Sequence, residues 1–204
     1  MHYKYQDLIQ LFNDTFFETF NTRLIKGGDE PLYLPAKSLL ANSLPTSNLL
    51  ETTALVNEFC EYHQVIFARG YYASAFHEIS HWCQAGKARR LLEDFGYWYI
   101  PDGRNELQQK KFEQVEIIPQ AIEWAFNVAA QRKFHVSSDN LSGFEADAHS
   151  FQKKVLQQVQ VFLADGFPVR ANQFITVLAQ FYNTPLPLTI ENFSKIKEEN
   201  VCLS

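Results

Sequence analysis

The pentapeptide His77-Glu78-Ile79-Ser80-His81 constrains this chain more than any other stretch, because it calls for a helix and for a partner to that helix. An α-helix has about 3.6 residues per turn, so residues four apart share a face and both imidazoles can turn toward a single metal ion. The flanks agree with a helix. Tyr72 to Gln84 contains neither Pro nor Gly, Ala73 and Ala75 favour the helical state, and Gly86 stands as a C-terminal stop. The bland alternative is a pair of partly buried core histidines. Two imidazoles do not complete the shell of a divalent ion, so the metal reading requires a third protein ligand from another element.

The remaining elements are read in chain order. Tyr5 to Phe20 carries Leu8, Leu11, Phe12, Phe16 and Phe20 at helical spacing, which predicts a first amphipathic helix. Thr22 to Lys26 and Leu32 to Pro35 read as short strands on either side of Gly27-Gly28-Asp29-Glu30-Pro31, which predicts a hairpin or an edge pair. Residues 36 to 52 look like a surface connection with at most a short helical turn. His63 to Ala68 is an apolar strand that ends at Arg69-Gly70 and feeds the histidine helix, an order that would seat this helix on a sheet.

Downstream, Asp94 to Arg104 gathers aromatic residues beside a Pro-Asp-Gly turn. They form either a core strand or a pocket wall in which Tyr97 or Tyr99 stands beside the metal and Arg104 reaches a substrate. A helical period runs from Leu107 to Ala130, but Pro119 disfavours the α conformation at Ile118. A kink or a new helix start is therefore expected there, with Glu116 beside the break. Residues 131 to 143 form a polar connection. Phe144 to Ala164 and Ala171 to Tyr182 read as helices separated by the stop Asp165-Gly166-Phe167-Pro168, and the polar tail after about residue 185 is expected to be loosely held. Helices covering a small sheet in a single domain spanning 1–204 is the expectation.

Composition narrows the class. A chain of 204 residues that is 46% hydrophobic can bury a sizeable core. It contains no run of about 18 apolar residues, and MHYKYQDLIQ lacks the apolar centre of a signal peptide, so a cytoplasmic protein with no membrane partner is expected. Cys60, Cys83 and Cys202 are odd in number and widely spaced, which suits reduced thiols, with Cys83 as packing in the histidine helix. A net charge of -5 argues against general affinity for nucleic acid. Lys87, Arg89, Arg90, Arg104, Lys110 and Lys111 nonetheless cluster in sequence, as a solvated face or as a docking patch for an acidic protein.

Candidates for the third ligand are Glu113, Glu116, Glu123, Glu145, Asp147 and His149, and spacing does not rank them. A metzincin would carry a histidine six residues after His81, where Lys87 stands instead. Two reaction classes stay open. In a zinc hydrolase, peptidase or nuclease, Glu78 would be the general base on water. In an iron enzyme, two histidines and one carboxylate form a facial triad with open positions for dioxygen and substrate. A metal-stabilised binding module is a third reading, but a purely structural site is usually closed by four ligands and no such cluster is evident. Gly27-Gly28 alone is not a nucleotide fingerprint.

The runs NTRLIKGGDEPLYLPA, FARGYYASAFHEISHWCQAGKARR, DFGYWYIPDGR and FEQVEIIPQAIEWAF resemble those of the bacterial elongation factor P hydroxylase family, from Asn21 to Phe126, with weaker similarity beyond. The segment Glu51 to His63 has no counterpart in that pattern and reads as an insertion. The resemblance implies a cytoplasmic enzyme that hydroxylates the β-lysylated lysine of elongation factor P, using Fe(II) and dioxygen; a monomer is expected, though the sequence does not fix the oligomeric state. It implies an α+β fold, a small mixed sheet packed with helices and the metal site on a central helix, similar to the metal-dependent ribonucleases of the YbeY type. On matching positions, His77 and His81 would be the imidazole ligands and Glu116 the carboxylate. An aromatic wall would hold the aliphatic stem of the modified lysine.

Overall fold

The structure is a computed structural model that describes residues 4–37, 60–96, 102–138, 140, 142–144 and 147–194. It is α+β and divides into two compact units, Met1–Glu78 with Ala85–Gly96, and Ile79–Gln84 with Tyr97–Ser204. Among the described residues no helix is long and apolar enough to cross a membrane.

In the first unit, α1 (Tyr5–Phe20) turns Leu8, Phe12 and Phe16 inward at a spacing of four, each 0% exposed. It starts where Asp7 Oδ2 accepts the Lys4 backbone N–H at 2.8 Å and stops at Asn21, whose left-handed φ of 47° ends the helical ladder. Three strands follow, β1 (Thr22–Lys26), β2 (Leu32–Leu34) and β3 (His63–Phe67). β3 lies in the middle, parallel to β1 and antiparallel to β2. The outer edge of β1 meets α1, where Asn13 Oδ1 accepts the Leu24 N–H at 2.8 Å. The Arg23 guanidinium lies 4.0 Å over the Phe17 ring.

The small mixed sheet is as expected, but the hairpin is not. β1 and β2 do not pair, because β3, with Val65 and Phe67 buried, takes the position between them. Stepping over one strand spans roughly 10 Å, which residues 27–31 cover easily at about 3.3 Å each. Gly27 is needed at this step. Its N–H donates to the Phe67 carbonyl at 2.8 Å, and a Cβ there would collide with Ile66 Cγ2.

β3 leads into α2 (Tyr72–Gln84) through Arg69 and Gly70, with φ of 51° and 80°. The Ser74 hydroxyl accepts the Ala68 N–H at 2.9 Å and ties the first turn of α2 to the end of the strand. This strand-to-helix step is the one the sequence predicts. α2 is continuous through both histidines.

In the second unit, α3 (Glu106–Ala129) is packed against α4 (Ala148–Asp165), α5 (Val169–Tyr182) and α6 (Ile190–Ser194). A capping box starts α3: Asn105 Oδ1 accepts the Gln108 N–H and Gln108 Oε1 accepts the Asn105 N–H, both at 3.0 Å. Of the two outcomes expected at Pro119, a new helix start does not occur, and α3 is continuous through it. A proline inside a helix costs about 3 kcal/mol, but every residue from Pro119 to Ala130 is buried, and collective burial outweighs one local penalty. Val115, whose carbonyl would have met the missing N–H, is 41% exposed and open to water.

Other boundaries move as well. α4 begins at Ala148 rather than near Phe144, because Asp147 Oδ1 caps it by accepting the N–H groups of His149 and Ser150, both at 3.0 Å. The chain after Pro185 is docked as far as α6. Phe193 is 2% exposed and its ring meets Trp124 edge-on at 5.7 Å, so an aromatic anchor holds a segment whose polar composition suggested otherwise. The stretches 38–52 and 51–59, from the surface connection and the insertion, lie outside the described residues, as do Cys202 and the tail from residue 195.

Candidate metal centre

α2 carries His77 and His81 one turn apart, and α3 carries Glu116 near its middle. One ligand atom from each lies within 4.8 Å of the other two. His81 Nε2 stands 3.3 Å from Glu116 Oε1. Neighbouring ligands of an ion with bonds of about 2.1 Å sit about 3 Å apart, so this separation suits a shared metal. Burial points the same way. Glu116 is 0% exposed and His81 7%, and a carboxylate so far from water needs positive charge beside it. Two nitrogens and one carboxylate oxygen are a donor set that suits Fe(II) or Zn(II).

Tertiary contacts hold the C-terminal end of α2. Arg170 Nη2 donates to the carbonyls of Trp82 at 2.8 Å and Cys83 at 3.0 Å, groups that lack intrahelical partners at a helix end. Cys83 packs inside, as expected, and burial pushes its thiol well above the usual range against the opposing pull of Arg170. On α3, Gln120 follows Glu116 by one turn, and its Nε2 stands 3.5 Å from Glu116 Oε2.

Among the described residues, the other ligand candidates are not part of this group. Glu113 pairs with Lys154 at 3.2 Å, Glu123 is buried further along α3, Asp147 caps α4, and His149 is exposed on that helix. Glu78 is half-buried beside His77. Tyr97, Tyr99 and Glu145 lie outside the described residues. Arg104, expected to reach a substrate, is instead 1% exposed. Its Nε donates to Gln109 Oε1 at 2.9 Å, its Nη2 to the Ser138 carbonyl at 2.7 Å, and its guanidinium lies 3.8 Å over the Phe112 ring. These contacts make it a brace for the connection after α3 and remove it from any basic surface. Lys87 and Arg89 are exposed, whereas Lys110 is paired with Glu106 at 2.6 Å.

Sequence reasoning missed Gln120 and Arg170. Gln120 sits at helical spacing from Glu116, inside the period read from Leu107 to Ala130, and that spacing was the signal that could have found it. Arg170 is 88 positions from Trp82, and no local pattern relates them.

Comparison with known proteins adds independent findings. Residues 11–193 match the family described as elongation factor P hydroxylase. The chain is 44% identical over 193 residues to the elongation factor P lysine hydroxylase of Haemophilus influenzae, covering 95% of this chain and 97% of that protein.

Proposed function

The chain belongs to the elongation factor P hydroxylase family, and from that premise we propose that it hydroxylates the β-lysylated lysine of elongation factor P. The observation that carries the mechanism is the convergence of His77, His81 and the buried Glu116. In this reading they would hold Fe(II) through two imidazole nitrogens and one carboxylate oxygen. Bound there, iron would supply the dioxygen chemistry that turns a lysine C–H into C–OH, one oxygen atom entering the product and the other leaving as water with two electrons from a reductant and two protons.

The protein's own part is positioning and charge. Glu116 offsets the positive charge of the site, and burial strengthens that attraction. Arg170 anchors the end of the helix that presents the histidines. Glu78, half-buried next to His77, is placed to hold or pass a proton. Tyr97 and Tyr99 are assigned to the wall along the lysine stem. The fold is assigned to the kind seen in YbeY-type ribonucleases, supported by a mixed sheet joined to a histidine-bearing helix. The enzyme acts as a cytoplasmic monomer, as a single domain, without nucleic acid or membrane.

The test supplies apoprotein with Fe(II), dioxygen, a reductant and lysylated elongation factor P, and follows the substrate by mass spectrometry. One added oxygen atom, derived from labelled dioxygen, is expected. His77→Ala, His81→Ala and Glu116→Ala should abolish it while keeping parent-like circular dichroism. Zinc-supported turnover of a peptide or RNA without oxygen, with no oxygen added to the factor, would instead establish the hydrolase reading with Glu78 as base.

A further inference from the structure

We propose that Gln120 is a positioning residue that commits Glu116 to metal ligation through a single carboxylate oxygen. The inference rests on the reading of His77, His81 and Glu116 as ligands. Gln120 belongs to a buried polar row along α3 that includes Gln109, Glu113, Glu116, Glu123 and Asn127, at helical spacing. A buried row of this kind persists only where its members find partners.

The orientation of the Gln120 amide is set by the backbone of Ser137. Its Oε1 accepts the Ser137 N–H at 3.1 Å and its Nε2 donates to the Ser137 carbonyl at 2.8 Å. Flipping the amide would set donor against donor and acceptor against acceptor, so Nε2 is the atom that faces Glu116. That nitrogen stands 3.5 Å from Glu116 Oε2, while Glu116 Oε1 stands 3.3 Å from His81 Nε2. The two oxygens of one carboxylate therefore have different neighbours: Oε1 faces the imidazole and Oε2 faces an amide donor. Gln120 is 1% exposed and Glu116 0%, so their contact lies in a low-dielectric interior where a hydrogen bond to a carboxylate is strengthened.

The consequence concerns how many positions the metal keeps open. A carboxylate can bind through one oxygen or two, and the second oxygen would take a position that a small molecule or substrate needs. A donor fixed on Oε2 disfavours that mode and holds the carboxylate plane. Partners of this type typically change metal affinity by about 10–100-fold when removed.

The experiment uses the full chain stripped with a chelator and titrated with Co(II), whose visible absorption reports coordination number. Affinity is read by competition with a chromophoric chelator. Gln120→Met keeps the length and removes the donor. The dissociation constant should rise about tenfold or more, and the absorption should weaken toward that of a higher coordination number. Gln109→Met is the control, because Gln109 Nε2 donates to the adjacent Ser138 carbonyl at 3.2 Å. It loosens the same connection without touching Glu116, and should leave both affinity and spectrum at parent values.

If Gln120→Met does not fold as an apoprotein, Gln120→Leu decides. It removes the donor without adding a charge or a new ligand, and should weaken Co(II) binding as much. Parent-like affinity and spectrum in the folded Gln120 variant, or the same change in Gln109→Met, would overturn the proposal. His81→Ala separates the two layers. If it binds Co(II) like the parent, the ligand assignment itself fails, whatever Gln120 does.

Discussion

Replacing Arg170 by methionine tests whether a contact from a distant helix sets the stability of the histidine helix. Arg170 Nη2 donates to the carbonyls of Trp82 and Cys83 at 2.8 and 3.0 Å, and the guanidinium lies 4.8 Å over the Trp82 ring. A hydrogen bond from a charged donor contributes about 1.5–3 kcal/mol. Favourable charge at a helix C-terminus adds about 0.3–1 kcal/mol, and a cation over an aromatic ring about 0.5–2 kcal/mol. These terms overlap, and Arg170 is only half-buried, so their lower ends apply and the total is about 2–3 kcal/mol. For a chain of this size each kcal/mol moves the melting temperature by about 2–4 °C. Arg170→Met should therefore lower Tm by about 4–12 °C in far-UV circular dichroism. Arg170→Lys keeps the charge but not the planar fork and should recover about half of the loss. If Arg170→Met melts within about 1 °C of the parent, the carbonyls are served by water and the anchoring argument is wrong.

Three further outcomes follow from buried groups. His63 has its pKa pulled below 6.5 by burial, with the Arg90 guanidinium adding to the effect, and its Nδ1 accepts the Ala36 N–H at 3.0 Å. The unfolded chain then binds the proton more readily, so this contribution is complete above the unfolded value of 6.5 and is lost as pH falls below it toward the folded value. His63→Gln should flatten the fall in denaturant midpoint between about pH 7.5 and 5, and an unchanged slope would contradict this. Cys83, buried and held as the thiol, should resist iodoacetamide in the native protein while half-buried Cys60 reacts; peptide mass spectrometry reads both, and equal labelling would refute it. Phe193→Ala should destabilise by about 3–5 kcal/mol if the segment after Pro185 is docked through that ring, and a change below about 1 kcal/mol would mean that it is not.

Local signals explain which parts of the fold were legible. The bounds of α1, β1 and α2 follow from hydrophobic spacing, from the absence of Gly and Pro, and from stop residues close in sequence. At Pro119 the sequence left a kink and a new helix start open, because the proline's penalty is local, whereas the burial that keeps α3 continuous comes from other helices. Asp147 was counted as a ligand candidate because its capping role depends on where the helix begins. The order of the strands was hidden too, since turn residues between β1 and β2 do not reveal that a third strand, 29 positions after β2, will come between them.

For the candidate site, the sequence by itself determined that two imidazoles share one helical face, because a period of about 3.6 residues leaves them no other arrangement once Tyr72–Gln84 is helical. It did not rank the carboxylates by spacing; family resemblance pointed to Glu116. Only the tertiary structure decided which acid stands 3.3 Å from His81 and which neighbours occupy its two oxygens. The reason is that helix periodicity is set by bonds within about four residues, whereas ligand choice depends on how buried faces from remote parts of the chain pack together.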